Sequence, residues 1–407
     1  MNRININKVF SVFLALAMIL NGYSSGFGSF SIAMVGFIVF CLISFFYLPS
    51  KTCYSAFSLF PVLFYIYVVV NAVIQFNSSY SYADQVLISV VKMGVWAFSI
   101  TFVSALLIDY SVLKTWIRRV SLISSIYIMV QTIFMYGFKI ILPSLFAIGP
   151  LKINYEIYEN PQLGAHGFRP SSFFAEPAFF AFYILVALII ELFGGEDKPV
   201  NKKYVMLYTI ALFFSTSSSG IFLGIFVWGL YFSTYFEGKK KLLSIFATSC
   251  FFVIGILLFS NINWDSFGGT TFSNTFKYAL QKVETLSTSG RVGKSFAYLD
   301  NLNTYQKLFG VGLGSEASFI MDGQKGSLYM NAITGLIIAN GYVGLSIFAF
   351  MVLYLFIKSN DKTIRILLLV YVISGYFSGI YFALPGIFYM MVIQALKNEK
   401  EIKYDYY

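Results

Sequence analysis

Uncharged, strongly apolar runs long enough to cross a bilayer recur from one end of this chain to the other. A hydrocarbon core of about 30 Å needs roughly 20 apolar residues in helical form, because a helix rises about 1.5 Å per residue. No backbone polar group can stay unbonded in lipid, so such runs must be helical. They lie near residues 9–21, 27–48, 54–75, 86–108, 120–142, 173–193, 204–216, 219–236, 242–260, 331–357, 364–379 and 381–396. The expected fold is therefore an all-α polytopic integral membrane protein, with about 12 transmembrane helices in a single membrane domain over residues 1–407. The pairs 204–216/219–236 and 364–379/381–396 have short members and brief connections, so each could instead form one re-entrant element. Charge agrees with this reading: 11% of residues are charged, against about 25% in a soluble domain. Too little polar surface remains to cover a soluble globule.

Lysine and arginine sort the connections into two classes. One class holds Arg3 and Lys8; Lys51; Lys114, Arg118 and Arg119; Lys198, Lys202 and Lys203; Lys239, Lys240 and Lys241; Lys358, Lys362 and Arg365; and Lys397, Lys400 and Lys403. The short connections near 22–26, 76–85, 217–218 and 380 hold none. The positive-inside rule makes the first class cytoplasmic, and with it both termini. The net charge of +10 then reads as an orientation signal, and no nucleic-acid partner is expected. Arg3 and Lys8 before Val9–Leu20 would also suit a secretory signal. An anchor is expected instead, because a second span follows at once and no convincing cleavage site intervenes.

Two outward-facing connections are longer, 143–172 and 261–330, and loops of such length usually carry function. Only these outward segments bear Lys or Arg: Lys139, Lys152 and Arg169 in or beside the first, and Lys277, Lys282, Arg291, Lys294, Lys307 and Lys325 in the second. The first ends in Arg169-Pro170-Ser171-Ser172-Phe173-Phe174-Ala175-Glu176-Pro177. Pro177 suits the first turn of a helix, which puts Glu176 at a helix N-terminus seven residues after Arg169. Glu176 is a candidate at a reaction centre, with helix capping as the structural alternative. In the second, Gly290-Arg291 precedes an amphipathic stretch, Val292–Leu302. Arg291 is the only arginine of that loop, and its planar fork suits a phosphate group; a salt bridge to Glu284 or another loop carboxylate is the alternative. The run Gly310-Val311-Gly312-Leu313-Gly314 has the look of a phosphate loop but lacks its Lys-Ser/Thr, so its glycines are expected to turn the chain back toward the start of helix 331–357. Lys92 lies inside a span, roughly 9 Å from its outer end at 1.5 Å per residue, and either snorkels outward or serves a substrate. Asn71, Gln75 and Gln131 are expected to hydrogen-bond between helices.

Cys41, Cys53 and Cys250 have no CxxC spacing, His166 is the one histidine, and the outward loops hold no clustered carboxylates. No disulfide, metal or other cofactor is expected. The two halves show no matching pair of Gly/Pro-broken spans, which speaks against a transporter.

The order and spacing of several segments resemble the O-antigen polymerase (Wzy-type) family of the O-antigen ligase/polymerase superfamily. These are Arg169–Phe180 (RPSSFFAEPAFF), Ser215–Gly220 (STSSSG), Gly290–Arg291, Lys307–Ser315 (KLFGVGLGS) and Asn331–Leu345 (NAITGLIIANGYVGL), and the likeness covers about residues 120–395. The ligase branch usually carries a histidine just before the helix where this chain has Ser327–Asn331, so the resemblance favours a polymerase over a ligase. It implies an enzyme of the bacterial cytoplasmic (inner) membrane. Such an enzyme joins undecaprenyl-pyrophosphate-linked oligosaccharide repeat units on the outer side, with a chain-length regulator as a possible partner besides membrane lipids. That chemistry needs positive charge at the departing pyrophosphate and a base near the acceptor hydroxyl. Glu176 and Arg291 are the catalytic candidates; Arg169, Lys294, Lys325 and Lys92 are the substrate-binding ones.

Overall fold

The computed structural model describes residues 5–27, 30–47, 56–76, 82–146, 151–153, 163–164, 167–194, 200–235, 295–321 and 330–404. Along them run α1 (Ile6–Leu20), α2 (Ile32–Tyr47), α3 (Ala56–Ile74) and α4 (Ala83–Phe98), which continues through a π-helical turn, Ser99–Val103, into Ser104–Leu106. Then come α5 (Tyr110–Phe138), α6 (Pro177–Phe193), α7 (Lys202–Phe214) and α8 (Ser218–Tyr235). The last group is a 3₁₀ turn at Tyr298–Asn301, two short helices α9 (Thr304–Phe309) and α10 (Glu316–Met321), and the long α11 (Ala332–Lys358), α12 (Lys362–Phe377) and α13 (Leu384–Tyr404). Strand structure among the described residues is limited to two-residue pieces, Tyr23–Ser24 with Lys152–Ile153 and Leu163–Gly164 with Gly167–Phe168, both antiparallel.

Each expected span within the described residues coincides with a helix of 13 to 29 residues; the expected span 242–260 lies outside them. Ala83–Leu106, Tyr110–Phe138 and Ala332–Lys358 are long and apolar enough to cross a membrane by themselves, and five shorter helices are apolar as well. Their packing is compatible with a lipid-facing surface. On α3, Leu59, Leu63, Ile66, Val70 and Val73 recur at helical spacing, and all five are exposed. In water such a stripe would be buried; here it forms an outer surface. The apolar helices suggest a membrane-embedded protein.

Each of the pairs 204–216/219–236 and 364–379/381–396 is two helices around a turn, a shape common to two spans and to one re-entrant element. Between α7 and α8 the chain reverses at Thr216, held at φ 51°. Between α12 and α13 the ring of Tyr381 lies where a side chain at Gly375 would stand, and Tyr381 donates a hydrogen bond to the Val372 carbonyl at 2.7 Å.

The helices form two compact units. The first draws on Met1–Leu14, Ala33–Leu113 and Thr285–Tyr407; the second on Ala15–Ile32 and Lys114–Glu284. The core of the first is aromatic: Trp96 packs edge-on to Phe382 at 5.2 Å, and Phe382 in turn stacks on Phe64 at 5.8 Å. In the second, α6 is apolar but for Glu191 and mostly buried, with α7 and α8 packed against it. Arg118 of α5 reaches Glu191 near the end of α6 with two hydrogen bonds, at 2.7 and 3.0 Å. A bidentate pair of this kind ties the two helices together and meets the charge of both side chains in a half-buried place.

Candidate functional site

In the second unit, the RPSS segment is held by a polar knot. Ser172 has φ 53°, a conformation that turns the chain sharply before α6. Gln131 of α5 accepts a hydrogen bond from the Ser172 N–H at 2.9 Å, and its Nε2 lies 3.3 Å from the carbonyls of Leu142 and Pro143. The Ser172 hydroxyl donates to the Ser124 carbonyl at 2.8 Å, and Ser171 and Ser144 share a hydrogen bond of 2.7 Å. Phe173 stacks flat on Tyr127 at 4.4 Å. Gln131, expected to link helices, thus ties a helix to a loop. Replacing it with leucine leaves the buried Ser172 N–H without an acceptor, at a cost of roughly 1–3 kcal/mol. Thermal unfolding of the Gln131→Leu protein in detergent should show this as a clear drop in midpoint; an unchanged midpoint would mean that the knot does not hold the turn.

This knot sets the position of Glu176. Pro177 opens α6 as expected, and Glu176 is its N-cap residue in extended backbone geometry. Its carbonyl accepts from the N–H groups of Phe179 and Phe180 at 3.1 and 3.2 Å, yet its carboxylate makes no capping hydrogen bond. The capping alternative is therefore not the one the side chain adopts. The STSSSG turn lies close to the same end of α6, since a side chain at Gly220 would meet the Cβ of Ala181, one turn in, at 2.4 Å. Arg169 precedes the knot and is half-buried, as is Glu176.

In the first unit, two of the family-like segments meet. Helix α11 is broken at Gly341, which takes φ 65° and ψ −174° in the middle of the apolar run. The break frees backbone carbonyls, and the glycine run fills the gap: the Val311 N–H donates to Ile338 at 2.8 Å and the Gly312 N–H to Ala339 at 3.0 Å. Asn71 Nδ2 donates to the Phe309 carbonyl at 2.7 Å, and the Tyr67 hydroxyl to the Asn340 carbonyl at 2.9 Å. The fit is backbone against backbone. A Cβ on Gly310 would stand 2.3 Å from the Ala339 oxygen, and one on Gly341 2.1 Å from the Leu308 oxygen. The glycines thus do not lead back to the start of α11, as the sequence suggested; they dock seven to ten residues inside it. Irregular backbone in a membrane helix is tolerated only where protein satisfies it, as it does here.

Next to this junction lies a residue the sequence reading passed over. Glu316 opens α10, half-buried, and its carboxylate accepts from the N–H groups of Gly314 and Glu316 itself. Burial outweighs those hydrogen bonds and pushes the carboxyl up to about 7 from an ordinary value near 4.5. The folded state therefore binds the proton more tightly than the unfolded chain. Its stabilising contribution is complete below about 4.5 and is lost as pH rises through about 7. Unfolding midpoints should fall between pH 5 and pH 8, by up to about 3 kcal/mol of stability. The Glu316→Gln protein should show a flatter profile over the same range; an equal fall in both would remove Glu316 as the source.

The sequence-derived candidates divide accordingly. Glu176 and Arg169 fall in the second unit and Lys92 in the first. Helix α4 starts at Ala83, so half-buried Lys92 lies about 14 Å along it at 1.5 Å per residue, deeper than expected. Arg291, Lys294 and Lys325 lie outside the described residues. Asn71, Tyr67, Asn340 and Glu316 were not singled out as site residues; the adjacent Asn340-Gly341 pair, a turn signal inside an apolar run, could have marked the break. No protein-family model matches the chain, and no curated protein matches it either.

Proposed function

We propose that this chain is a membrane glycosyltransferase that polymerises undecaprenyl-pyrophosphate-linked oligosaccharide repeat units on the outer side of a bacterial cytoplasmic membrane, which it crosses about twelve times. The observation that carries the reading is the state of Glu176: a carboxylate at an apolar helix's N-terminus, presented by a bonded serine turn and not spent on capping. In the proposed reaction an acceptor sugar hydroxyl attacks the anomeric carbon of the growing glycan. The bond from that carbon to the phosphate oxygen breaks, and undecaprenyl pyrophosphate leaves with the electron pair. Glu176 takes the hydroxyl proton. Arg169, in the same unit as Glu176, offsets the negative charge of the leaving group. No nucleotide is consumed, because the donor is already activated. Whether the product is O-antigen or capsular or exopolysaccharide depends on the repeat unit supplied.

A lipid-linked oligosaccharide flippase is the second reading, and the break in α11 favours it, since discontinuous helices mark transporter sites. Against it, the backbone groups freed in α11 bond to the glycine run, to Asn71 through the Ala339 carbonyl and to Tyr67. Deleting the gene separates the readings by glycan banding on gels. Loss of a polymerase leaves single repeat units on the acceptor; loss of a flippase, like loss of a ligase, leaves none. The single-unit band is the expected result, and an empty lane would overturn the proposal.

A further inference from the structure

The first turn of α11 carries two polar atoms that the fold itself does not use. Asn331 is the N-cap, and its Oδ1 accepts from the Thr334 N–H at 2.7 Å. Among the described residues, neither its Nδ2 nor the hydroxyl of Thr334 has a hydrogen-bond partner. Asn331 is 1% exposed and Thr334 0%. The turn is rigidly placed: the Asn331 N–H donates to Ser295 Oγ at 3.3 Å, and the Ala332 N–H to the Ser378 carbonyl at 3.1 Å. An amide donor and a hydroxyl, three residues apart, thus lie without partners in the first turn of α11, at the positive end of the helix. Buried polar groups left without partners are uncommon and call for an explanation.

We infer that Asn331 and Thr334 bind a neutral sugar hydroxyl of the lipid-linked substrate, donating to it from Nδ2 and exchanging a second hydrogen bond with the threonine hydroxyl. The inference rests on the proposed glycan substrate and names where one of its sugars is read. The side chains themselves favour a neutral oxygen over phosphate: neither carries charge, and an amide beside a hydroxyl matches the paired donor and acceptor character of a sugar hydroxyl. A site built to bond a hydroxyl rejects analogues that lack it, so this pair sets specificity more than rate.

The test uses the purified full chain in detergent and two probes. One is undecaprenyl pyrophosphate bearing the repeat unit, extracted from cells that lack this chain. The other is undecaprenyl pyrophosphate without sugar. Binding of each is read by the rise in unfolding temperature across a concentration series. The wild type should bind the sugar-bearing lipid at least tenfold more tightly than the bare lipid. Thr334→Val keeps the shape and removes an unbonded buried hydroxyl, so the protein should fold with an unchanged or higher midpoint. It should lose most of that preference while binding the bare lipid as before. Asn331→Ser, which keeps a capping oxygen, should do the same. If both folded variants keep the full preference, the two side chains serve structure or hold a buried water, and the inference fails while the glycan substrate stands. If the wild type shows no preference for the sugar-bearing lipid, the inference and the proposed function fall together.

Discussion

Replacing Gly341 with valine is expected to abolish the folded protein or reduce its stability by more than about 4 kcal/mol. Two costs add. A β-branched residue at φ 65° is strained wherever it stands. The new Cβ would also lie 2.1 Å from the Leu308 oxygen, and that atom belongs to backbone that cannot step aside. Relief requires expelling the glycine run, which breaks the Val311 and Gly312 hydrogen bonds to α11 and leaves carbonyls unbonded in an apolar setting. The matching control is Gly335→Ala in the same helix, where a Cβ meets nothing within 4 Å. There the alanine should be neutral or stabilising by up to about 1 kcal/mol, the ordinary helix preference. Fluorescence size-exclusion and thermal unfolding of both proteins check the pair. Equal stability of the two variants would show that the junction between glycine run and broken helix is not formed.

The second large effect concerns turnover. Glu176→Gln keeps size and the backbone hydrogen bonds from Phe179 and Phe180. Since the carboxylate does not cap α6, stability should change by less than about 1 kcal/mol. If the carboxylate accepts the proton of the acceptor hydroxyl, repeat-unit joining should fall about 10² to 10⁴-fold. Glu176→Asp shortens the reach but keeps the base, and should retain more activity than the glutamine variant. Glycan length on gels, at matched protein level, gives the readout. Full-length glycan from Glu176→Gln would leave the residue without a part in the chemistry.

The helices were legible in the sequence because apolar run length is a local property and the bilayer sets it. Their ends were less so. The expected span at 120–142 is Tyr110–Phe138 in the structure, because Lys114, Arg118 and Arg119 belong to the helix and not to the loop before it. A cation count reads Arg118 as a loop charge; only the fold brings Glu191 to it, from 73 residues away. In the same way α13 runs on to Tyr404, and its Lys400 forms an ion pair with Asp361, the N-cap of α12. Pro177 and Glu176 were placed correctly since a proline at the first turn is itself a local signal. The serine knot was not foreseen, because Gln131 and Ser172 are joined only through the turn at φ 53°. The junction at Gly341 was missed for a different reason: hydropathy averages over a window, and two polar or small residues in an apolar run do not lower it enough to show a break.

The central claim is tested most directly by reconstitution. The purified chain is placed in liposomes with lipid-linked repeat units alone, without nucleotide, and products are separated by size. The expected product is a ladder of glycans growing by whole repeat units on undecaprenyl pyrophosphate, with bare undecaprenyl pyrophosphate released in step. A folded, correctly inserted protein that leaves every repeat unit unjoined would contradict it.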